Sequence, residues 1–190
     1  MKVLALDLMG VITVQQYVSF PKQGADKIDE EWRQLKINIL RAACKGTISE
    51  SELIEALGVD EDAVRAALDS VDLDPDAKAL VDAAREKGIA TCVLTNHLTR
   101  WADYLLNRFK IDLDYSVVSD TLKSSKPEKR IFDEVLRVTG AKPEEVLFVD
   151  DHARNLEAAR KLGFKCVLMR RDERERFEPS VRRREVVGML

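Results

Sequence analysis

Asp7 stands at the end of an apolar run, Val3-Leu4-Ala5-Leu6, and is followed by Leu8-Met9-Gly10-Val11. A bare carboxylate ending an apolar strand, with glycine three residues on, sits where open α/β sheets put their chemistry. Three further apolar runs lead to polar groups. Val93-Leu94 runs into Thr95-Asn96-His97, the run at 115–118 precedes Lys126-Pro127, and the run at 146–149 delivers Asp150-Asp151. As parallel strands of one sheet, these would bring three carboxylates, a lysine and a threonine to one crevice. Carboxylates so close repel one another, and a hard divalent cation bound by oxygens, Mg2+, is the economical counter-charge. A lysine ammonium beside a threonine hydroxyl suits a phosphoryl group. The chemistry implied is attack by Asp7 on an electrophile to give a covalent aspartyl intermediate. Lys126 and the cation would stabilise charge on the transferred group.

The elements that must position these groups are legible in the pattern. Short apolar runs alternate with helical patterns, which predicts an α/β fold, a Rossmann-like parallel sheet covered by helices. Strands are expected at 2–8, 89–94, 115–118, 146–149 and 165–169, each rich in Val, Ile or Leu as in a sheet buried on both faces. Asp74 is expected to cap a helix with Pro75 at its first position and Gly88 at its close. Pro127 precedes a helix carrying Ile131, Phe132, Val135 and Leu136 and ending at Gly140, and another runs over 155–162 to Gly163. Residues 14–74 show no strand signal. Helices are expected there at 30–43, 49–57 and 60–69, with Ser49 and Glu52 as a capping box. The organisation expected is an α/β core of residues 1–13 and 75–190, with 14–74 as an inserted α-helical cap over the strand ends.

Composition narrows the function class. The chain has 190 residues, 45% apolar and 34% charged, with a net charge of −3. That balance gives no sign of a nucleic-acid partner. No stretch approaches the ~20 apolar residues of a membrane span, and the first apolar run is short and carries Asp7, unlike a signal peptide. Three widely spaced cysteines, Cys44, Cys92 and Cys166, suit a reduced, cytoplasmic protein. Trp32 and Trp101 read as packing anchors. The charged segments Arg170-Arg171-Asp172-Glu173-Arg174 and Arg182-Arg183-Arg184 read as a solvated tail held by Phe177 and Val186-Val187.

Four elements in order resemble the four motifs of the haloacid dehalogenase-like hydrolase superfamily. They are Ala5-Leu6-Asp7-Leu8-Met9-Gly10-Val11, Val93-Leu94-Thr95-Asn96, Lys126-Pro127 with Ile131-Phe132, and Phe148-Val149-Asp150-Asp151. Ser119-Asp120, Asn155, Ala158-Ala159 and Gly163 are similar to the branch whose α-helical cap lies between motifs one and two. The resemblance implies Asp7 as nucleophile, and Thr95 with the Asn96 amide and Lys126 as the groups holding a substrate phosphoryl. It also implies Asp7, the Met9 carbonyl, Asp150 and Asp151 as Mg2+ ligands. The substrate class implied is a small phosphorylated metabolite.

Position 9 departs from that pattern. In the family's phosphatases a second aspartate there protonates the leaving alkoxide and then activates water, which Met9 cannot do; such help is worth typically about 10²–10⁴-fold. The main reading is a phosphatase that manages without this acid, on a substrate with a good leaving group or with another group serving. Dehalogenase-type hydrolysis, a non-catalytic binding or regulatory protein on the same fold, and carbon–phosphorus cleavage through Lys36 or Lys45 are the alternatives. His97, with an unperturbed pKa near neutrality, is a candidate replacement acid, and His152 a weaker one. Arg33, Arg41 and Lys45 could meet a substrate anion.

Overall fold

A computed structural model describes residues 1–20, 30–169 and 186–190, with the backbone alone at 30–33. Five parallel strands, β1 (Val3–Leu6), β2 (Ala90–Thr95), β3 (Tyr115–Val118), β4 (Val146–Asp150) and β5 (Lys165–Leu168), form one sheet in the order β3-β2-β1-β4-β5. β1 lies at the centre, with Val3 opposite Ala90 on one side and Val146 on the other. Every residue of β1 and β4 is buried, which explains their unbroken apolar character.

Alternation along the strands assigns the two faces. Leu4, Leu6, Val93, Leu147 and Val149 belong to one core, with Leu80 and Val81 of α4 (Ala77–Glu86) and Trp101 and Leu105 of α5 (Thr99–Phe109). Val3, Ala5, Leu94 and Phe148 belong to the other, with Ile131, Phe132 and Val135 of α7 (Lys129–Thr139) and Leu156 and Ala159 of α8 (Ala153–Lys161). Phe132 meets Phe148 and Phe164 edge to face, at centroid distances of 5.9 and 5.8 Å, the arrangement favoured by the ring quadrupoles.

Among the described residues between β1 and α4 lie the helices α1 (Glu30–Cys44), α2 (Glu50–Leu57) and α3 (Glu61–Asp69). The Ser49–Glu52 capping box forms with both of its reciprocal bonds, and Asp60 caps α3 through Ala63 N. This insert is tied to the core by polar contacts. Trp101 Nε1 donates to Glu50 Oε1 at 2.6 Å, Arg100 pairs with Glu50 and Glu61, and Arg108 donates to the Val71 and Asp69 carbonyls. Ser119 of the short helix α6 (Ser119–Leu122) donates to the Cys44 carbonyl.

Several local features differ from the sequence expectation: the first strand, expected over 2–8, spans Val3–Leu6 and gives way to the turn that follows Asp7. α4 begins at Ala77, not at Asp74-Pro75, because Asp74 closes the preceding turn: its carboxylate accepts from Asp76 N and its carbonyl from Ala77 N. β2 and β4 each run one residue further, so Thr95 and Asp150 are their last residues. Trp101 is 2% exposed, a packing anchor as expected. Of the tail, Val186 is buried in a helix at 186–189, whereas the charged segments and Phe177 lie outside the described residues, as do the side chains of Trp32 and Arg33. No helix among the described residues is long and apolar enough to cross a membrane.

Candidate active site

Asp7 leaves β1 with extended backbone and opens a wide turn, Leu8–Ile12, closed by Thr13 N on the Leu8 carbonyl at 2.9 Å. One carboxylate oxygen of Asp7 accepts from Leu8 N at 2.7 Å, and Thr95, at the end of the adjacent strand, favours the charged form of the same carboxylate. The other oxygen lies 3.0 Å from Lys126 Nζ. Lys126 Nζ also meets Asp150 Oδ2 at 2.7 Å and the Leu94 carbonyl at 2.8 Å. One ammonium, its side chain 1% exposed, thus bridges two carboxylates from neighbouring strands. Without both partners its burial would be costly.

Burial raises Asp7 to about 6, Asp150 pushes in the same direction, and Lys126 opposes them. Burial works against the charge on Lys126, but Asp7 and Asp150 outweigh it and hold the ammonium above its ordinary pKa. The ammonium therefore stays charged while Asp7 shares its field with a second acid.

Asp150 is wholly buried and heavily bonded. Its Oδ1 accepts from His152 N at 2.7 Å, and both oxygens accept from Asn155 Nδ2 at 3.0 and 3.1 Å. Asn155 sits in the first turn of α8, which follows directly from β4. Asp151 points to the same mouth, with Oδ1 2.6 Å from His152 Nδ1 and Oδ2 accepting from Gln16 Nε2 at 2.8 Å. Asp150, Asp151 and His152 can bring one ligand atom each within 4.8 Å of one another. Gly10, at φ +79, makes this approach possible, since a Cβ there would stand 2.3 Å from Asp151 Oδ2. The donors of Asp7, Asp150 and Asp151 are all oxygens, which fits a hard cation such as Mg2+.

Asn96 plays two parts. Its side chain grips the Lys126 backbone from both ends, with Nδ2 on the carbonyl at 2.9 Å and Oδ1 on the N–H at 2.7 Å, next to the cis Lys126-Pro127 bond. The side chain therefore places Lys126, and only the Asn96 main chain is left to meet a substrate.

Met9 is buried, and its sulfur accepts from the Thr13 hydroxyl at 3.6 Å. His97 is buried beside Trp101; its Nδ1 accepts from Leu98 N at 3.0 Å, and burial lowers its pKa to about 4. A ring so held is neutral near pH 7 and is not a ready proton donor. Lys36 donates to the Phe20 carbonyl at 2.9 Å, and Lys45 pairs with Glu128. A cleft of about 800 Å3 between α3 and α5, lined by Glu61, Arg65, Arg100 and Tyr104 among others, includes none of Asp7, Thr95, Lys126, Asp150 and Asp151.

Sequence reasoning marked Asp7, Thr95, Lys126, Asp150 and Asp151, and the structure brings all five to one end of the sheet. It gave Asn155 no role at the carboxylates and overlooked Gln16. Asn155 carried a signal, an amide one turn into the helix after the paired acids. Gln16 carried none, because its reach to Asp151 depends on a turn that only the folded chain displays.

A family model described as haloacid dehalogenase-like hydrolase matches residues 1–163. A phosphoglycolate phosphatase of Pseudomonas putida is 31% identical over 85 residues, 44% of this chain and 31% of that protein. The (S)-2-haloacid dehalogenase 4A of Burkholderia cepacia is 32% identical over 99 residues, 51% of this chain and 43% of that protein. The chain thus spans less than half the length of these curated relatives. A HAD family enzyme of Bacteroides thetaiotaomicron, solved with magnesium and inorganic phosphate, has the same fold: TM-score 0.70, 21% identity, with 94% of this chain and 100% of that one covered.

Proposed function

Since the chain belongs to the haloacid dehalogenase-like hydrolases, we propose that it is a Mg2+-dependent phosphatase of a small phosphorylated compound, acting through an aspartyl-phosphate on Asp7. The observation that carries this reading is the Lys126 ammonium held between Asp7 and Asp150 at 3.0 and 2.7 Å. A halide leaving group would ask for no paired acids at the end of β4. A phosphoryl group, with charge spread over several oxygens, calls for both a fixed cation and carboxylates that can bind a metal. The phosphatase among the relatives and the magnesium–phosphate complex of a protein of the same fold point the same way.

In this reading a carboxylate oxygen of Asp7 attacks phosphorus, the P–O bond to the leaving group breaks, and water later cleaves the acyl phosphate to restore Asp7. Lys126 neutralises the phosphoryl oxygens, and Thr95 and the Asn96 N–H orient them. Asp7, the Met9 carbonyl, Asp150 and Asp151 would hold Mg2+, which when bound supplies further charge neutralisation. The helices of residues 14–74 act as a cap, supported by the contacts of Cys44 with Ser119 and of Lys45 with Glu128 beside the strand ends. Met9 gives the leaving group no proton, so compounds that lose a stable anion, such as acyl phosphates, are the favoured substrates. The test is phosphate release from a panel of esters and acyl phosphates, with and without Mg2+. Metal-dependent release that Asp7→Asn abolishes is expected, and a folded protein inert to the whole panel refutes the reading.

A further inference from the structure

The segment that leaves the core for the inserted helices does not simply depart; it doubles back over the carboxylates. Thr13 and Leu73 form an antiparallel bridge, Val14 N donates to the Asp72 carbonyl at 2.8 Å, and Asp74 N donates to the Ile12 carbonyl at 2.9 Å. Gln15 stitches the outgoing and returning strands with its side chain. Its Oε1 accepts from Asp72 N at 2.8 Å, and its Nε2 reaches Asp72 Oδ2 at 3.0 Å. The Gln15 carbonyl in turn accepts from Gly10 N at 2.8 Å and from the Thr13 hydroxyl at 2.8 Å. The backbone between Gly10 and Gln15 is thereby closed into a turn whose next residue, Gln16, is exposed yet donates to Asp151 Oδ2.

Asp151 is thus held at both oxygens, by His152 at Oδ1 and by Gln16 at Oδ2, in the space that Gly10 leaves. We infer that Gln16 is a positioning residue that aims the Asp151 carboxylate for a divalent cation, with the Gln15–Asp72 clasp of the insert's two connections holding Gln16 in place. The inference rests on the metal-binding part of the proposed function. An amide is suited to the task, since it fixes one carboxylate oxygen without adding charge and leaves a second lone pair on that oxygen. Partners that orient a metal's ligands are typically worth about 10–100-fold in affinity. The clasp also makes the position of the insert and the aim of Asp151 a single mechanical unit.

The test uses Mn2+ as the probe, titrated into the full chain and followed by the paramagnetic resonance of the free ion, with thermal unfolding measured alongside. Gln16→Leu should weaken Mn2+ binding about 10-fold with an unchanged melting temperature in the absence of metal. Gln15→Ala, which cuts the clasp but keeps the Gln16 amide, should weaken it in the same direction and less. The double variant should be no worse than Gln16→Leu. Wild-type and Gln16→Leu chains that bind Mn2+ equally overturn the inference while leaving the metal site standing. A wild-type chain that binds no Mn2+ overturns the metal reading and the inference together.

Discussion

At the scale of single residues, Met9 is the residue that would select among phosphate substrates under the proposed phosphatase function. Its thioether is buried and accepts from the Thr13 hydroxyl, and a thioether has no proton to donate. Asp7, Lys126, Asp150 and Asp151 are otherwise gathered at the same end of the sheet. Met9→Asp should therefore raise turnover of alkyl phosphates by about 10²-fold or more, the usual size of general acid–base help. Acyl phosphates, whose leaving group needs no proton, should change little. The check is kcat on a pair of substrates matched in size and differing in leaving-group pKa. An equal gain on both would mean that Met9 shapes the pocket and that proton transfer is not the missing step.

At the scale of elements, the junction of β2 and α5 is the most exacting part of the scaffold. His97 lies there between the Trp101 ring and the Leu98 backbone, and its pKa is lowered from 6.5 to about 4 chiefly by burial. Between those values the unfolded chain takes up a proton that the folded chain refuses. The His97 share of stability therefore falls as the pH drops from 6.5 to 4, by roughly 3 kcal/mol in all. Asp7, raised to about 6 by burial, works in the opposite sense over much of that window, so the check is a difference: between pH 7 and pH 4.5, denaturant unfolding should show wild type losing more stability than His97→Gln. The strands and the Ser49 capping box were readable because an apolar run, or a cap with its partner three residues on, carries its own signal. The Leu8–Ile12 turn, α6 and the start of α4 were not. Each depends on partners distant in sequence or on a competing local bond, such as the Asp74 carboxylate on Asp76 N. The candidate site was readable to the same degree. Strand-end residues announced themselves, whereas Asn96 as a brace for Lys126 and Gln16 as a partner of Asp151 arise only from loops meeting in space.

At the scale of the whole molecule, the proposed cation site at the sheet end would make stability answer to divalent metal. A cation that binds only the folded chain adds about 2.7 kcal/mol at a hundred times its Kd, or roughly 5–10 °C in Tm for a chain of this size. Saturating Mg2+ should give a rise of that order in a thermal scan, and Asp150→Asn should remove it. The central place of β1 has a different consequence, for the chain's birth. Val3 waits for Ala90 before its first neighbour exists and for Val146 before its second. At ordinary ribosomal speeds of about 5–20 residues per second, the strand that carries Asp7 spends on the order of ten seconds outside any finished sheet. A strand buried on both faces in the end is, for that interval, an apolar segment with no sheet to cover it.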